Sequence, residues 1–429
     1  KYSLQVVQRE NFSLVERLKA CKNLNFAEDI MKKIAMFTMG TRGDVQPYIY
    51  LAQELNKNGY DTLLGSHPCW KQLIESSNVK FVPVGPDIDI EKEAAVIRGK
   101  NKNPMLSMLK TMNFVFDMII ESTGDVFEAC KGMDLIVVSH AQMGATEAEV
   151  LGIPTVNVTI QPEMIPEKLK NQTFINKVIG SLIAGQIAKP YNKIRKKYNL
   201  KPAKDIGDIM SSNYDLIPIS QYAKERNPYW EPHHVFTGFW YQEEIEYQPD
   251  KALENFLKSG DKPILLALGA MSFEDKAEVH KLDMFVKAFE KTGYRAIVQG
   301  FQKSLQEYQL PDSMIAVGSV PHSYLFDKCK MVIHHCGFGT SAATLIYGIP
   351  SIPVPHVLDQ KGQSDMLRKL GVASDEIDGH NVTEEKIITC IKDMDLHYEE
   401  RYQKVKQLSE KIKNEKGLEV AVRYIGEII

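Results

Sequence analysis

The segment from Met331 to Gln360 limits the folds open to this chain more than any other stretch. Met331-Val332-Ile333-His334 is a short apolar run suited to a buried parallel strand, and Ser341 to Tyr347 is a helix-compatible run closed by Gly348 and Pro350. Ile352-Pro353-Val354-Pro355 then forms a second strand that runs into a polar loop. The order is strand, glycine turn, helix starting just after Gly339, strand and loop, which is the building unit of an α/β domain. Gly337 and Gly339 remove side chains where backbone must approach a ligand, and Thr340 and Ser341 place hydroxyls and free N–H groups at the helix start. That end of a helix favours anions. His335, beside the turn, offers a ring N–H to a phosphate oxygen. Asp359 and Gln360 supply a carboxylate acceptor and an amide, a pairing suited to vicinal sugar hydroxyls. Glycine turns before helices also arise from packing alone; the conjunction of all these groups at their spacing is what points to a phosphorylated sugar.

With 429 residues, the chain exceeds what a single core normally supports, so two domains are expected. Its formal charge of -3 gives no support to nucleic-acid binding. The six cysteines (Cys21, Cys69, Cys130, Cys329, Cys336, Cys390) are scattered without a Cys-x-x-Cys pair, the pattern of reduced thiols in a soluble cytoplasmic protein. No apolar run is long enough to span a bilayer. Residues 1–30, ahead of Met31-Lys32-Lys33, carry no signal-peptide core and are read as an extension or a short helical appendage.

Strand and helix patterns alternate through the front half. Strands are expected at 34–39, 61–66, 79–84, 134–139 and 155–160, and helices at 47–58 and 145–151. The texture turns to proline, aromatic and acidic residues from Trp230 to Asp250, including Glu243-Glu244-Ile245-Glu246. An interdomain linker is placed there, at 241–250. A second alternation follows, with strands at 263–268, 296–299 and 314–317 and a helix around 281–291. The expected architecture is therefore two Rossmann-like α/β domains, 31–240 and 251–397, followed by a charged helical tail at 398–429.

The signature segment resembles the nucleotide-sugar signature of inverting glycosyltransferases with the two-Rossmann GT-B fold. The resemblance is closest to the branch of sterol glucosyltransferases and the bacterial enzymes that glycosylate macrolides and glycopeptides. It extends to Ile34–Pro47, which is similar to that branch's first strand and its Gly-Ser-Arg-Gly-Asp-x-x-Pro loop, and to Gln161-Pro162 and Pro321–Phe326. It implies a UDP- or TDP-sugar donor, no metal or other cofactor, and a tail that crosses back to the first domain. Many relatives carry a histidine base in a Gly-His-x-x-Pro loop; here Gly43-Asp44-Val45-Gln46-Pro47 makes Asp44 the candidate base. The alternative for Asp44 is a cap on the helix expected near Pro47. Arg42 is open between a phosphate contact, an interdomain carboxylate and a structural ion pair. On the donor side the resemblance implies backbone N–H groups at Gly269 and Ser272, with Ala270 where relatives usually have serine, and a nucleobase held through the main chain of Val320. Cys336 stands where the branch normally has glycine. No Asp-x-Asp ends a strand, so leaving-group charge falls to the helix start at Thr340 and to His335.

The acceptor is expected to be an apolar small molecule bearing a hydroxyl. Trp70, Met112, Phe116, Met143 and Met164 are its candidate contacts, although a Met- and aromatic-rich run such as 105–120 is more often plain core. The basic stretch Lys189 to Lys204 is either a peripheral membrane contact or a solvated helix face. A nucleotide-sugar epimerase or hydrolase, and a binding protein without chemistry, remain alternatives on the same architecture.

Overall fold

The computed structural model describes residues 31–88, 93, 96, 104–162, 165, 174–210, 213–242, 247–269 and 275–429. Ser272, Ala270, Met164, residues 1–30 and the acidic run 243–246 lie outside the described residues. The front lobe is built on a seven-stranded sheet: β1 (Lys33–Phe37), β2 (Asp61–Ser66), β3 (Lys80–Pro83), β4 (Leu135–Ser139), β5 (Thr155–Val158), β6 (Asp215–Ile217) and β7 (His234–Phe236), in spatial order β3-β2-β1-β4-β5-β6-β7. The rear lobe has a five-stranded sheet of β8 (Ile264–Ala267), β9 (Ala296–Gln299), β10 (Met314–Val317), β11 (Met331–His334) and β12 (Ser351–Pro353), in order β10-β9-β8-β11-β12. Every pairing is parallel. Each sheet reverses its winding direction beside its first strand, between β1 and β4 in front and between β8 and β11 behind. Crevices for ligands open at the carboxyl ends of such switch-point strands.

The helices that frame these crevices are α1 (Arg42–Lys57), α2 (Pro104–Cys130), α3 (Ala145–Leu151), α4 (Phe174–Lys197), α5 (Asp275–Thr292), α6 (Phe338–Tyr347) and α7 (Leu358–Lys369). Two more, α8 (Tyr398–Lys413) and α9 (Gly417–Gly426), form the tail. Period-two alternation divides the front core into two layers: Ile34, Met36, Leu64 and Val137 pack beneath α1, while Ala35, Phe37, Ile136 and Val138 face α2 and α3. In the rear lobe, Leu282, Phe285 and Phe289 of α5 close over Ile264, Leu266 and Val298.

The lobes are joined by an apolar cluster in which Ile217, Ile219 and Phe239 of the front meet Ala342, Leu345 and Ile346 of α6. The tail serves both lobes. Ser409 of α8 donates to the Ile346 carbonyl at 2.6 Å, whereas Ala421, Val422 and Ile425 of α9 belong to the front core beneath α1.

Several elements differ from the sequence expectation. The first helix begins at Arg42 rather than near Pro47, because Thr41 and Asp44 form a capping box and Pro47 sits early enough to forfeit only one intrahelical bond. Strands β6 and β7 were not anticipated; each has only three residues, too few to show periodicity, and β7 lies inside the Pro- and aromatic-rich stretch. The signature helix starts at Phe338, two residues ahead of the expected start after Gly339. Asp359 and Gln360, expected in a loop, occupy the first turn of α7.

Candidate functional site

The turn after β1 is held by its own side chains. Asp44 Oδ2 accepts from the Thr41 N–H at 2.8 Å and from the Thr41 hydroxyl at 3.0 Å, and the Thr38 hydroxyl donates to the Asp44 carbonyl at 3.1 Å. Gly40 has φ of 127°, and a Cβ there would lie 2.4 Å from Asp44 Oδ2, so only glycine lets the carboxylate fold back over the turn. Trp70 Nε1 donates to the Gly40 carbonyl at 3.1 Å and braces the turn from the β2 side. Asp44 therefore does cap its helix, and it remains half-buried at the carboxyl end of the switch-point strand.

His140 is a residue that the sequence reading missed. It follows β4, whose register with β1 pairs Phe37 with Val138, so it lies beside the turn that carries Asp44. Burial lowers the pKa of this imidazole while the charge of Asp44 opposes the shift, and its Nδ1 is buried without a hydrogen-bond partner. The available signal was a histidine directly after the strand Leu135-Ile136-Val137-Val138-Ser139, which has significance only once β4 is known to adjoin β1.

In the rear lobe, the His335 ring is clasped between two backbones. A Cβ on Gly269 would sit 2.7 Å from His335 Cε1, and one on Gly337 would sit 2.5 Å from His335 Nε2. Both glycines thus make room for the imidazole, which corrects the expectation that Gly337 clears space for ligand. Gly339 is different: no atom lies within 4 Å of a Cβ placed there. Gly337 is the N-cap of α6, with no side-chain cap and no acidic residue in the first turn. The Ser341 N–H makes the first intrahelical bond, to the Gly337 carbonyl at 2.9 Å, so helix geometry leaves the N–H groups of Phe338, Gly339 and Thr340 for an anion. Ser341 is fully buried, with its Oγ unpartnered.

Burial favours the neutral form of four imidazoles in this lobe, those of His322, His334, His335 and His356. Burial, then the neighbouring His335 and His322, pushes the His334 pKa down to about 3. The His334 Nδ1 accepts from the Cys336 N–H at 3.1 Å, which fixes its tautomer. Burial, His335 and Arg42 lower His322 to about 4, and burial also lowers His335. Cys336 has φ of 62° and is fully buried, its thiol pushed up to about 12 by burial, so it is an inert side chain in a conformation better suited to glycine.

Arg42 reaches from the front lobe to the rear, its guanidinium donating to Ser319 Oγ at 3.0 Å, beside Val320. Val320 is buried; its N–H donates to the Gly318 carbonyl at 3.0 Å and its carbonyl accepts from Gln299 Nε2 at 2.9 Å. A base held there would use the second lone pair of that carbonyl. Gln360 is buried and its Oε1 accepts from the His356 N–H at 2.8 Å, while Asp359 is exposed.

The acceptor candidates fare unequally. Met143 is buried in the front core, which corrects its assignment as a contact surface. Met112 and Phe116 are half-buried on α2, and Phe116 packs edge-on against Tyr191 with ring centroids 5.9 Å apart. In the basic stretch, Arg195 is withdrawn from the surface by a double contact to Glu149 at 2.5 and 3.1 Å, leaving Lys193, Lys196, Lys197 and Lys201 exposed. Among the described residues no three His, Cys, Asp or Glu side chains converge as metal ligands would, and no helix is long and apolar enough to cross a membrane.

Comparison with known proteins bears on both lobes. Residues 34–165 match the glycosyltransferase family 28 N-terminal domain, and residues 296–425 match the erythromycin biosynthesis protein CIII-like C-terminal domain. A sterol 3-beta-glucosyltransferase of Arabidopsis thaliana is 27% identical over 372 residues, covering 80% of this chain and 58% of that protein. The O-mycaminosyltylonolide 6-deoxyallosyltransferase of Streptomyces fradiae is 26% identical, covering 80% of this chain and 85% of its own length. A sterol 3-beta-glucosyltransferase of Debaryomyces hansenii is 26% identical across 91% of this chain, which spans only 26% of that relative. Among solved structures, the glycotransferase of kitacinnamycin superposes with a TM-score of 0.72 at 15% identity, covering 93% of this chain and all of its own. The calicheamicin glycosyltransferase gives 0.71 at 14% identity, covering 93% and 98%. Both share the paired parallel sheets described above. With a family 28 match in front, an erythromycin CIII-like match behind and the fold of solved glycosyltransferases throughout, the chain has the two-lobe GT-B fold and is similar to sterol glucosyltransferases and macrolide glycosyltransferases.

Proposed function

We propose that this protein transfers a hexose, with glucose as the first candidate, from a uridine or thymidine diphosphate sugar to a hydroxyl of an apolar small molecule, with inversion at the anomeric carbon. The observation that carries this reading is the Arg42–Ser319 contact, which brings the turn holding Asp44 against the donor lobe. In the reaction, the acceptor oxygen attacks the anomeric carbon opposite the leaving diphosphate. Asp44 takes the hydroxyl proton at Oδ1, since Oδ2 is occupied by the helix cap. His140 lies beside Asp44 with its Nδ1 unpartnered; burial favours its neutral form, the Asp44 charge opposes that shift, and the ring is placed to share the proton. The departing diphosphate is stabilised by the N–H groups at the start of α6 and by a ring N–H of His335. Asp359 and Gln360 read the sugar hydroxyls.

The reading includes a metal-independent reaction in the cytoplasm, since helix-end donors supply the compensation a divalent ion would otherwise give. An acceptor panel of sterols, macrolides, flavonoids and simple phenols with UDP-glucose and TDP-glucose, scored for a mass gain of one hexose and repeated in EDTA, tests it. Mass gain that survives EDTA is expected. Release of free sugar or an epimerised donor without any acceptor product would replace the transferase reading with the hydrolase or epimerase alternative.

A further inference from the structure

Behind the sugar-reading pair lies a polar network that the catalytic scheme does not use. Lys281, on α5, extends Nζ to within 3.1 Å of His356 Nε2 and donates to the Gly379 carbonyl at 2.6 Å. An ammonium has no lone pair, so His356 Nε2 is the acceptor and the ring is neutral. That agrees with the His356 pKa, which burial, and then Lys281, His335 and His380, push down to about 3. Gly379 lies against this ring so closely that a Cβ there would meet His356 Cδ2 at 2.5 Å. On the other side, His380 Nε2 lies 2.7 Å from the His356 carbonyl. The His356 N–H in turn holds Gln360 Oε1 at 2.8 Å. One lysine thus clamps two loops, 354–357 after β12 and 378–380, and the residue it grips directly orients the amide of Gln360.

We propose that Lys281 and His356 are positioning residues for donor-sugar recognition: Lys281 fixes the His356 loop so that Gln360 presents its amide N–H groups, rather than its oxygen, to acceptor oxygens on the hexose. This rests on the reading of Asp359 and Gln360 as the sugar contacts. Because the His356 N–H holds Gln360 Oε1 toward its own loop, the amide N–H groups are turned the other way as donors, and the neighbouring Asp359 carboxylate is the acceptor of the pair. The clamp therefore divides the donor and acceptor roles between adjacent residues.

Charge enters as a secondary consequence. Burial lowers the Lys281 pKa to about 8, with Asp378 and Glu278 opposing it. His356, His335 and His380 also face this cluster, and Asp378 receives the His380 N–H at 2.9 Å. Lys281 is thus the group whose charge changes just above neutrality, and its bond to His356 weakens as pH rises through about 8.

The test compares binding of UDP-glucose with binding of UDP alone by calorimetry, which requires no turnover. In Lys281→Met the affinity for UDP-glucose should fall about tenfold, the size of one lost charge-assisted hydrogen bond, with UDP affinity unchanged. Lys281→Arg should recover part of the loss. For the wild type, the preference for UDP-glucose over UDP should shrink between pH 7 and 9, and in Lys281→Met it should be flat with pH. Equal losses for UDP and UDP-glucose, or a pH-independent preference in the wild type, would overturn the proposal. Asp359→Ala separates the two levels: if it abolishes the preference while Lys281→Met keeps it, sugar reading stands and the clamp falls. If the wild type shows no preference at all, the underlying reading fails.

Discussion

The two lobes present the same local unit, a parallel strand, a glycine turn and a helix start, and they finish it in opposite ways. At α1 the third helical residue is Asp44, whose carboxylate covers the helix end by accepting from Thr41. At α6 the third helical residue is Thr340, the N-cap is Gly337, and no carboxylate enters the first turn. One helix end has filled its own anion seat and the other has left it open. The filled end has its first N–H groups answered by its own side chain; the open end leaves three N–H groups to a ligand. A single residue type at one position separates a self-capped helix start from an open one.

Acidification should give the largest effect and bears on a difference in buried imidazoles, His322, His334, His335 and His356 behind against His67 and His140 in front. His322 and His334 have native pKa values of about 4 and about 3, below the ordinary 6.5, so the unfolded chain takes up protons first as pH falls. Their stabilisation is complete above pH ~6.5 and is lost below it, at up to about 1.4 kcal/mol per imidazole per pH unit. Hydrogen exchange between pH 7.5 and 5 should show β8 to β12 losing protection before β1 to β4. Unchanged protection of the rear strands would mean these rings are not buried in the neutral form.

Asp44→Asn keeps a side-chain oxygen for the cap but removes the base. Turnover should fall by about 10²–10⁴-fold with UDP affinity nearly unchanged. Activity within a few-fold of wild type would assign Asp44 to capping alone.

Thr340→Asp would copy the front arrangement into the rear turn. The added carboxylate should occupy the anion seat, weakening UDP binding by roughly 100-fold through like-charge repulsion, while stabilising α6 by about 0.5–1 kcal/mol. Undiminished UDP affinity by calorimetry would show that the diphosphate lies elsewhere.

The smallest effect is expected from Cys336→Gly. Relief of a left-handed backbone and loss of a buried thiol are each worth about 1 kcal/mol, of opposite sign, so stability should stay within about 1 kcal/mol and activity should not change. A larger loss in a thermal melt would give the cysteine a role beyond packing.

The strand at 296–299 and the helix at 145–151 could be delimited from their residues, because apolar runs bounded by glycine or proline report local structure directly. The role of a glycine was less legible. Gly337 and Gly339 look alike in the sequence, yet the first makes room for His335 and the second faces open space. Proline misdirected the start of α1, since Pro47 suggested a beginning where Thr41 and Asp44 had already made one. His140 and Lys281 could not be singled out from the sequence, because their importance depends on which strand or loop lies next to them.

The linear order of residues determined the alternating α/β architecture, the two lobes, the anion-favouring start of the signature helix and the carboxylate at position 44, all consequences of patterns within a few turns of chain. Tertiary structure alone decided that Arg42 meets Ser319, that Lys281 meets His356, that Met143 is core and that burial keeps His334 neutral. Hydrogen-bond partners and burial are set by residues distant in the chain, here as far apart as Arg42 and Ser319, and no local pattern encodes them.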